Sequence, residues 1–321
     1  MQIGIQRNLA IDMMKALAAI FIVNSHLVPM YKDINPALAT FGVHGDAMFF
    51  FCAGYVALLG LKKQQNNSLL LYMRNRFQRL FPTIMIFFIL RNLFFDTPIT
   101  WNNLLYADGF WFISHIFISY IFVYLLFVYQ HDKLLLWFWT ISFIVIISAL
   151  FVEANGASIF FNKLNHYCFF PSMLLGLILS EKGRLKNTSK DFIWMILSFV
   201  CYFLISSIGK GRTDNLYYIQ ILSFFPLNSF LYFAYKSFSL ITSSITPLFI
   251  RIIIFISSLT LEMYMVHYSF ITPKYNNLFP LNIIYLYITT IVSAYILRVV
   301  TNFYKMCMSN QRYPLTTIFK V

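Results

Sequence analysis

Long apolar runs joined by short polar and basic stretches set the pattern of this chain. Ten runs approach membrane-spanning length: Asn8–Met30, Phe41–Leu61, Leu80–Phe95, Phe110–Tyr129, Leu134–Val152, Leu164–Ser180, Phe192–Ile208, Leu216–Tyr235, Ile252–Ile271 and Leu281–Val300. About 17–25 apolar residues are needed to cross a bilayer as a helix. Inside hydrocarbon every backbone polar group must be paired within its own segment, so runs of this length predict helices and not open strands. The expected fold is therefore all-α: a polytopic membrane bundle of about ten helices, forming one membrane-embedded domain over residues 1–321. The run at Leu80–Phe95 is the shortest of the ten. A long inner joint, Lys236–Arg251, is Ser- and Thr-rich with Pro247 inside it and predicts a short interfacial helix. Met1–Gly4 carry no charge, and no small-residue cleavage site follows the first apolar run, so that run is expected to be retained as a span.

Composition agrees. Of 321 residues 60% are hydrophobic and only 11% charged, with a mean hydropathy of +0.70. A soluble domain would carry about a quarter charged residues. The net charge of +13 is not a nucleic-acid footprint, because the bases sit in the joints between apolar runs. With the N-terminus inside, eighteen of the 24 Lys and Arg fall on the inner side and six on the outer. The positive-inside rule then places both termini in the cytoplasm. Cys52, Cys168, Cys201 and Cys307 have no metal-ligand spacing and read as small core residues, so neither disulfides nor a metal site is expected.

The first run is unusual in what it carries: Asp12, Lys15 and His26. A charge near a bilayer centre costs at least ~2.5 kcal/mol on insertion scales, and such residues face a protein interior or a wet cavity. Lys15 and His26 are eleven positions apart, about three helical turns, which puts both on one face and separates them by roughly 16 Å along the axis. Asp12 precedes Lys15 by three and can pair with it. A histidine in a span is either a helix–helix hydrogen-bonding group or a base; near neutral pH imidazole is suited to the second role.

Three further groups are candidates. Arg76 and Arg79, at i and i+3 before Pro82, either clamp phosphates or anchor anionic lipid head groups. His44 and Asp46, at the outer mouth of the second run, line an acceptor site or are wet loop residues. His267, late in the ninth run, either lines the outer end of a cavity or packs between helices. His115, His131 and His166 have no partner at a telling spacing, and His131 in His131-Asp132-Lys133 reads as a solvated turn. No phosphate-binding glycine loop, nucleophile elbow or metal cluster is present in the sequence.

Ile11-Asp12-Met13-Met14-Lys15-Ala16-Leu17-Ala18, with His26 after ten intervening residues, resembles the opening helix of the acyltransferase 3 family of membrane acyltransferases. Further motifs follow in the family's order: Phe50-Phe51-Cys52-Ala53-Gly54-Tyr55, Arg76-Phe77-Gln78-Arg79, Trp111-Phe112 and Thr260-Leu261-Glu262-Met263-Tyr264-Met265-Val266-His267. Lys15 stands where the family has Arg, keeping the charge but losing the planar fork. Ala53 stands where the family has Ser, so no hydroxyl is essential there.

The resemblance implies acyl transfer, commonly of acetyl, from cytoplasmic acyl-CoA to a hydroxyl of a glycan or lipid-linked sugar in a bacterial inner membrane. On that reading Arg76, Arg79 and Lys15 hold the donor, which is a substrate and not a resident cofactor. Its pantetheine arm matches the Lys15–His26 separation, and His26 is general base or acyl carrier. Asp12 positions Lys15. His44, Asp46 and His267 are candidates for the acceptor side. The competing expectation is a transporter or flippase for a glycan or lipid, which would use intramembrane charge equally well but commonly shows internal repeats, and none is visible.

Overall fold

A computed structural model describes residues 8–63, 68–95, 98, 100, 111–154, 168–182, 189–209, 220–241, 247–308 and 317–319. Among them every regular element is helical. The α-helices in chain order are α1 (Leu9–Ser25), α2 (Val28–Tyr31), α3 (Gly42–Lys63), α4 (Leu69–Phe95), α5 (Trp111–Tyr129) and α6 (Leu134–Ala154). They continue as α7 (Phe170–Lys182), α8 (Ser189–Gly209), α9 (Phe224–Ile241), α10 (Pro247–Ser258), α11 (Thr260–Val266) and α12 (Leu281–Met308).

Among the described residues six helices are long and apolar enough to cross a membrane: α3, α4, α5, α6, α8 and α12. A seventh span is made if α10 and α11, bent by 58° at their junction, count as one. This is a multi-pass membrane protein. The sequence pointed to about ten spans, and for two of the runs outside this set the helix is short. Helix α7 has 13 residues, roughly 20 Å, against a hydrocarbon core of about 30 Å. Helix α1 has 17, since the chain turns at His26 and restarts as the one-turn α2. Residues 164–167 and 216–219 of two expected spans lie outside the described residues. So do 242–246 of the expected interfacial joint, beyond which Pro247 opens α10 and draws Arg251 into it.

The chain divides into two compact units. The first comprises Met1–Lys15, Asp46–Asn67 and Ile118–Ile254. Here α3 and α7 meet backbone to backbone. A Cβ at Gly54 would overlap the Met173 carbonyl, and one at Gly176 the Phe51 carbonyl, so glycine is required at both. Stacked rings of Phe50, Phe169 and Phe224, with centroid spacings of 5.5 and 5.8 Å, continue that seam to α9. Asn228 Nδ2 of α9 donates to the Ala47 carbonyl of α3 at 3.4 Å. Helices α8 and α9 are pinned by Lys236 Nζ on Asp191 Oδ2 at 2.9 Å, both side chains nearly buried. Away from α9, α8 exposes Phe192, Ile193, Ile196 and Phe203, a surface suited to lipid and not to water. His131, expected in a solvated turn, is 42% exposed and reaches Glu181 at 2.6 Å.

The second unit comprises Ala16–Gly45, Ser68–Phe117 and Phe255–Val321. Gly42 and Gly45 bring the start of α3 onto α1, facing Ser25 and the Ile22 side chain. Val23, Leu27, Met30, Tyr31 and Leu286 form a buried cluster between the end of α1, α2 and α12. Polar ties lock the chain around it. Tyr31 OH donates to Asn24 Oδ1 at 2.9 Å, Asn24 Nδ2 to the Leu38 carbonyl at 2.8 Å, and Asn276 Nδ2 to the Pro29 carbonyl at 3.0 Å. Tyr287 OH of α12 donates to the Ile20 carbonyl at 3.1 Å.

The apolar run 252–271 reads as one helix, yet it breaks at Leu259. Ser258 Oγ donates to the Phe255 carbonyl at 2.7 Å and Thr260 Oγ1 to the Ser257 carbonyl at 3.3 Å. Hydroxyls bonded in this way compete with the helical ladder and bend it. The Ser258 carbonyl released by the break is taken by the Arg298 guanidinium of α12.

Candidate acyl-transfer site

His26 sits where α1 ends, its N–H bonded to the Val23 carbonyl at 3.1 Å and that of Leu27 to Asn24 at 3.0 Å. These i to i+3 bonds tighten the last turn. The turn holds His26 partly exposed between Val23 and Leu27, both buried in the cluster. His267 caps α11, is 0% exposed, and lies 3.0 Å from His26 through Nε2 to Nδ1. Its own Nδ1 is 3.1 Å from the Met263 carbonyl.

With both rings neutral, this geometry assigns the protons. A carbonyl only accepts, so His267 Nδ1 carries the hydrogen. In a neutral ring Nε2 is then the acceptor, and His26 Nδ1 must donate to it. The lone pair of His26 is left on Nε2, the nitrogen turned away from its partner. A buried imidazole therefore orients a more accessible one and selects its tautomer, the role of the orienting group in base-activated catalysis.

The Tyr268 ring closes one side of the pair, 4.6 Å from the His26 ring and 4.2 Å from that of His267 by centroid. Tyr264 lies 6.1 Å from His267, and Phe112 packs on Tyr264 at 5.4 Å. Three separate sequence motifs, ending in His26, at Trp111-Phe112 and in His267, thus meet in the second unit.

One turn and a half before His267, Glu262 is fully buried, with Arg298 Nε 3.2 Å from its Oε1. Neither Glu262 oxygen has a hydrogen bond of acceptable geometry. Arg79 and Lys305 also bear electrostatically on Glu262, and Lys305 Nζ donates to the Arg79 carbonyl at 3.3 Å. Sequence reasoning passed over Glu262 and Arg298. The signal was present, a carboxylate and a guanidinium inside apolar runs. Glu262 had been absorbed into a motif, and Arg298 into the tally of inner charges.

The remaining candidates are placed as follows. Asp12 is buried and Lys15 half-buried on α1, in the first unit. Both bear electrostatically on Cys52 of α3, whose Sγ reaches the Ile11 carbonyl at 3.9 Å. Arg76 and Arg79 differ in setting. Arg76 is 8% exposed with its guanidinium 5.0 Å over the Tyr72 ring, whereas Arg79 is exposed. His44 stacks edge-on with Phe41 at 5.7 Å. Asp46 is two residues further along α3, and residues at i and i+2 do not face each other on a helix. His115 is satisfied within its own helix by the Trp111 carbonyl at 2.8 Å, and His166 lies outside the described residues.

No curated protein sequence and no solved structure matches this chain. The acyltransferase domain family known as acyltransferase 3 matches residues 8–304, nearly the whole length and both units. With its membrane helices and its paired imidazoles drawn from the first and the last of the family's motifs, the chain belongs to the acyltransferase 3 family of membrane acyltransferases.

Proposed function

We propose that this protein is a bacterial inner-membrane O-acetyltransferase with both termini cytoplasmic. It takes acetyl from cytoplasmic acetyl-CoA and passes it to a sugar hydroxyl of a surface polysaccharide, O-antigen or capsule, or of its lipid-linked precursor. The observation that supports this best is the His26–His267 pair, in which one imidazole presents its Nε2 while the other holds it through Nδ1. His26 Nε2 accepts the proton of the sugar hydroxyl as the oxygen attacks the thioester carbonyl. The carbon–sulfur bond then breaks, and the departing thiolate takes that proton from the imidazolium, which restores the starting tautomer. Lys15 stabilises or orients the donor, Asp12 positions Lys15, and Arg79 with Arg76 serves the donor's phosphates. His44 and Asp46 belong to the acceptor side.

Labelled acetyl from acetyl-CoA should enter the glycan fraction of membranes containing the protein and not of membranes lacking it. Purified protein that neither binds nor consumes acetyl-CoA with any glycan acceptor would sink the reading and bring the transporter alternative forward.

His267 acts through His26 and so is a positioning residue. His267→Leu keeps much of the bulk but has no acceptor for His26 Nδ1–H. Transfer should fall by up to about 10²-fold, the usual penalty for a displaced catalytic group. His267→Gln supplies an amide oxygen as acceptor and should recover part of that loss in kcat. Equal activity of the two variants would remove the orienting role.

A further inference from the structure

Four ionisable side chains gather in the second unit beyond the imidazole pair: Arg79 of α4, Glu262 of α11, and Arg298 and Lys305 of α12. The only one that is fully buried is Glu262, and its ion pair is with Arg298. Arg298 is also committed to the Ser258 carbonyl. Among the described residues neither of the two other cations has an ion pair of its own. Among the described residues Glu262 is the sole acid bearing on Lys305, and it is shared with Arg298 and Arg79. Arg79 and Lys305 are held together by Lys305 Nζ on the Arg79 carbonyl, and both remain accessible. Three positive charges around one carboxylate leave a surplus of two, directed outward. Such a surplus is matched by a dianion.

The partnership differs from the one the sequence offered. Arg76 packs its guanidinium on Tyr72, and Lys305 from the far end of the chain joins Arg79. A spacing of 226 residues hides this pair from any local motif.

Position along α12 supplies a ruler. Leu286 packs with Val23 and Leu27, which flank His26. Arg298 is twelve residues further along the same unbroken helix, roughly 18 Å. The cation cluster and the base thus stand a long, thin arm apart in one unit, the layout needed for a donor with a phosphorylated head and a thioester tip.

We propose that Arg79 and Lys305, floored by the Glu262–Arg298 pair, bind the phosphate groups at the nucleotide end of the acyl donor. This rests on the acyl-transfer reading above and adds to it Lys305 as a specificity-determining residue. The ammonium donates to phosphate oxygens as a point charge and the Arg79 guanidinium as a planar fork. The same chemistry would also take an anionic lipid head group, so the test separates the two sources.

Full-length protein is placed in nanodiscs of purely zwitterionic phosphatidylcholine, and transfer is measured with acetyl-CoA and with acetyl-pantetheine, which lacks the nucleotide and its phosphates. Lys305→Gln should raise KM for acetyl-CoA about tenfold with kcat little changed. The preference for acetyl-CoA over acetyl-pantetheine should fall by the same factor. Arg79→Gln should behave likewise, and Lys305→Arg should restore most of the preference. An unchanged preference in Lys305→Gln would overturn the proposal. So would an effect seen only when anionic lipid is added, which would assign the cluster to lipid head groups. Wild-type protein that uses neither thioester would instead defeat the acyl-transfer reading itself.

Discussion

Replacing His26 by alanine is expected to reduce acetyl transfer 10²–10⁴-fold, the range spanned by loss of a positioned general base. The loss should fall on kcat, since His26 acts on the hydroxyl in the transition state and contributes little to donor binding. The fold should survive. His26 is partly exposed at the end of α1, and the apolar cluster beside it is built from Val23, Leu27, Met30, Tyr31 and Leu286. The loss of the ring leaves His267 Nε2 without its donor, a cost of about 1–3 kcal/mol for one buried unpaired group. Membranes carrying His26→Ala at wild-type abundance should therefore show almost no labelled glycan. Equal labelling by variant and wild type would remove His26 from the mechanism, while membership of the family would stand.

The second large effect concerns folding. Asp191→Ala removes the carboxylate that lies 2.9 Å from the Lys236 ammonium, nearly buried between α8 and α9. Removing one partner of a buried ion pair costs about 3–5 kcal/mol. Against a total stability of about 5–15 kcal/mol, that is a large share. Asp191→Ala should lower the thermal midpoint of detergent-solubilised protein and its monodisperse yield. Asp191→Leu combined with Lys236→Met removes both charges and fills the space, so it should recover most of the stability. A double variant as unstable as the single one would show that the pair has a role other than mutual neutralisation.

Much of this could be read from the sequence, and the reasons it stopped are physical. The composition of the apolar runs and the charged first segment gave the membrane helices and His26, because both signals are local. Helix length was harder, since a run of apolar residues does not reveal where the backbone turns. The first run contains no proline before Pro29, yet α1 ends at Ser25, where Asn24 donates to the Leu38 carbonyl and accepts from the Tyr31 hydroxyl. His267 stayed ambiguous because its partner is 241 residues away, and one sequence carries no trace of that pairing. Arg76 and Arg79 share a helical spacing but not a setting, since the Tyr72 ring, four residues earlier, draws one of them inward.

The broken helix at Leu259 has an electrical side. The carboxyl end of α10 carries partial negative charge and the amino end of α11 partial positive charge, each equivalent to about half an elementary charge. Arg298 reaches the first through the Ser258 carbonyl, and Glu262 stands in the first turn of the second. Read along the junction, the charges alternate: negative helix end, guanidinium, carboxylate, positive helix end. A break that would expose two uncompensated dipoles to an apolar interior is thereby neutralised from within. Either side chain, once removed, would unbalance a helix end as well as its partner, and the bend that carries His267 to His26 would lose its counter-charge.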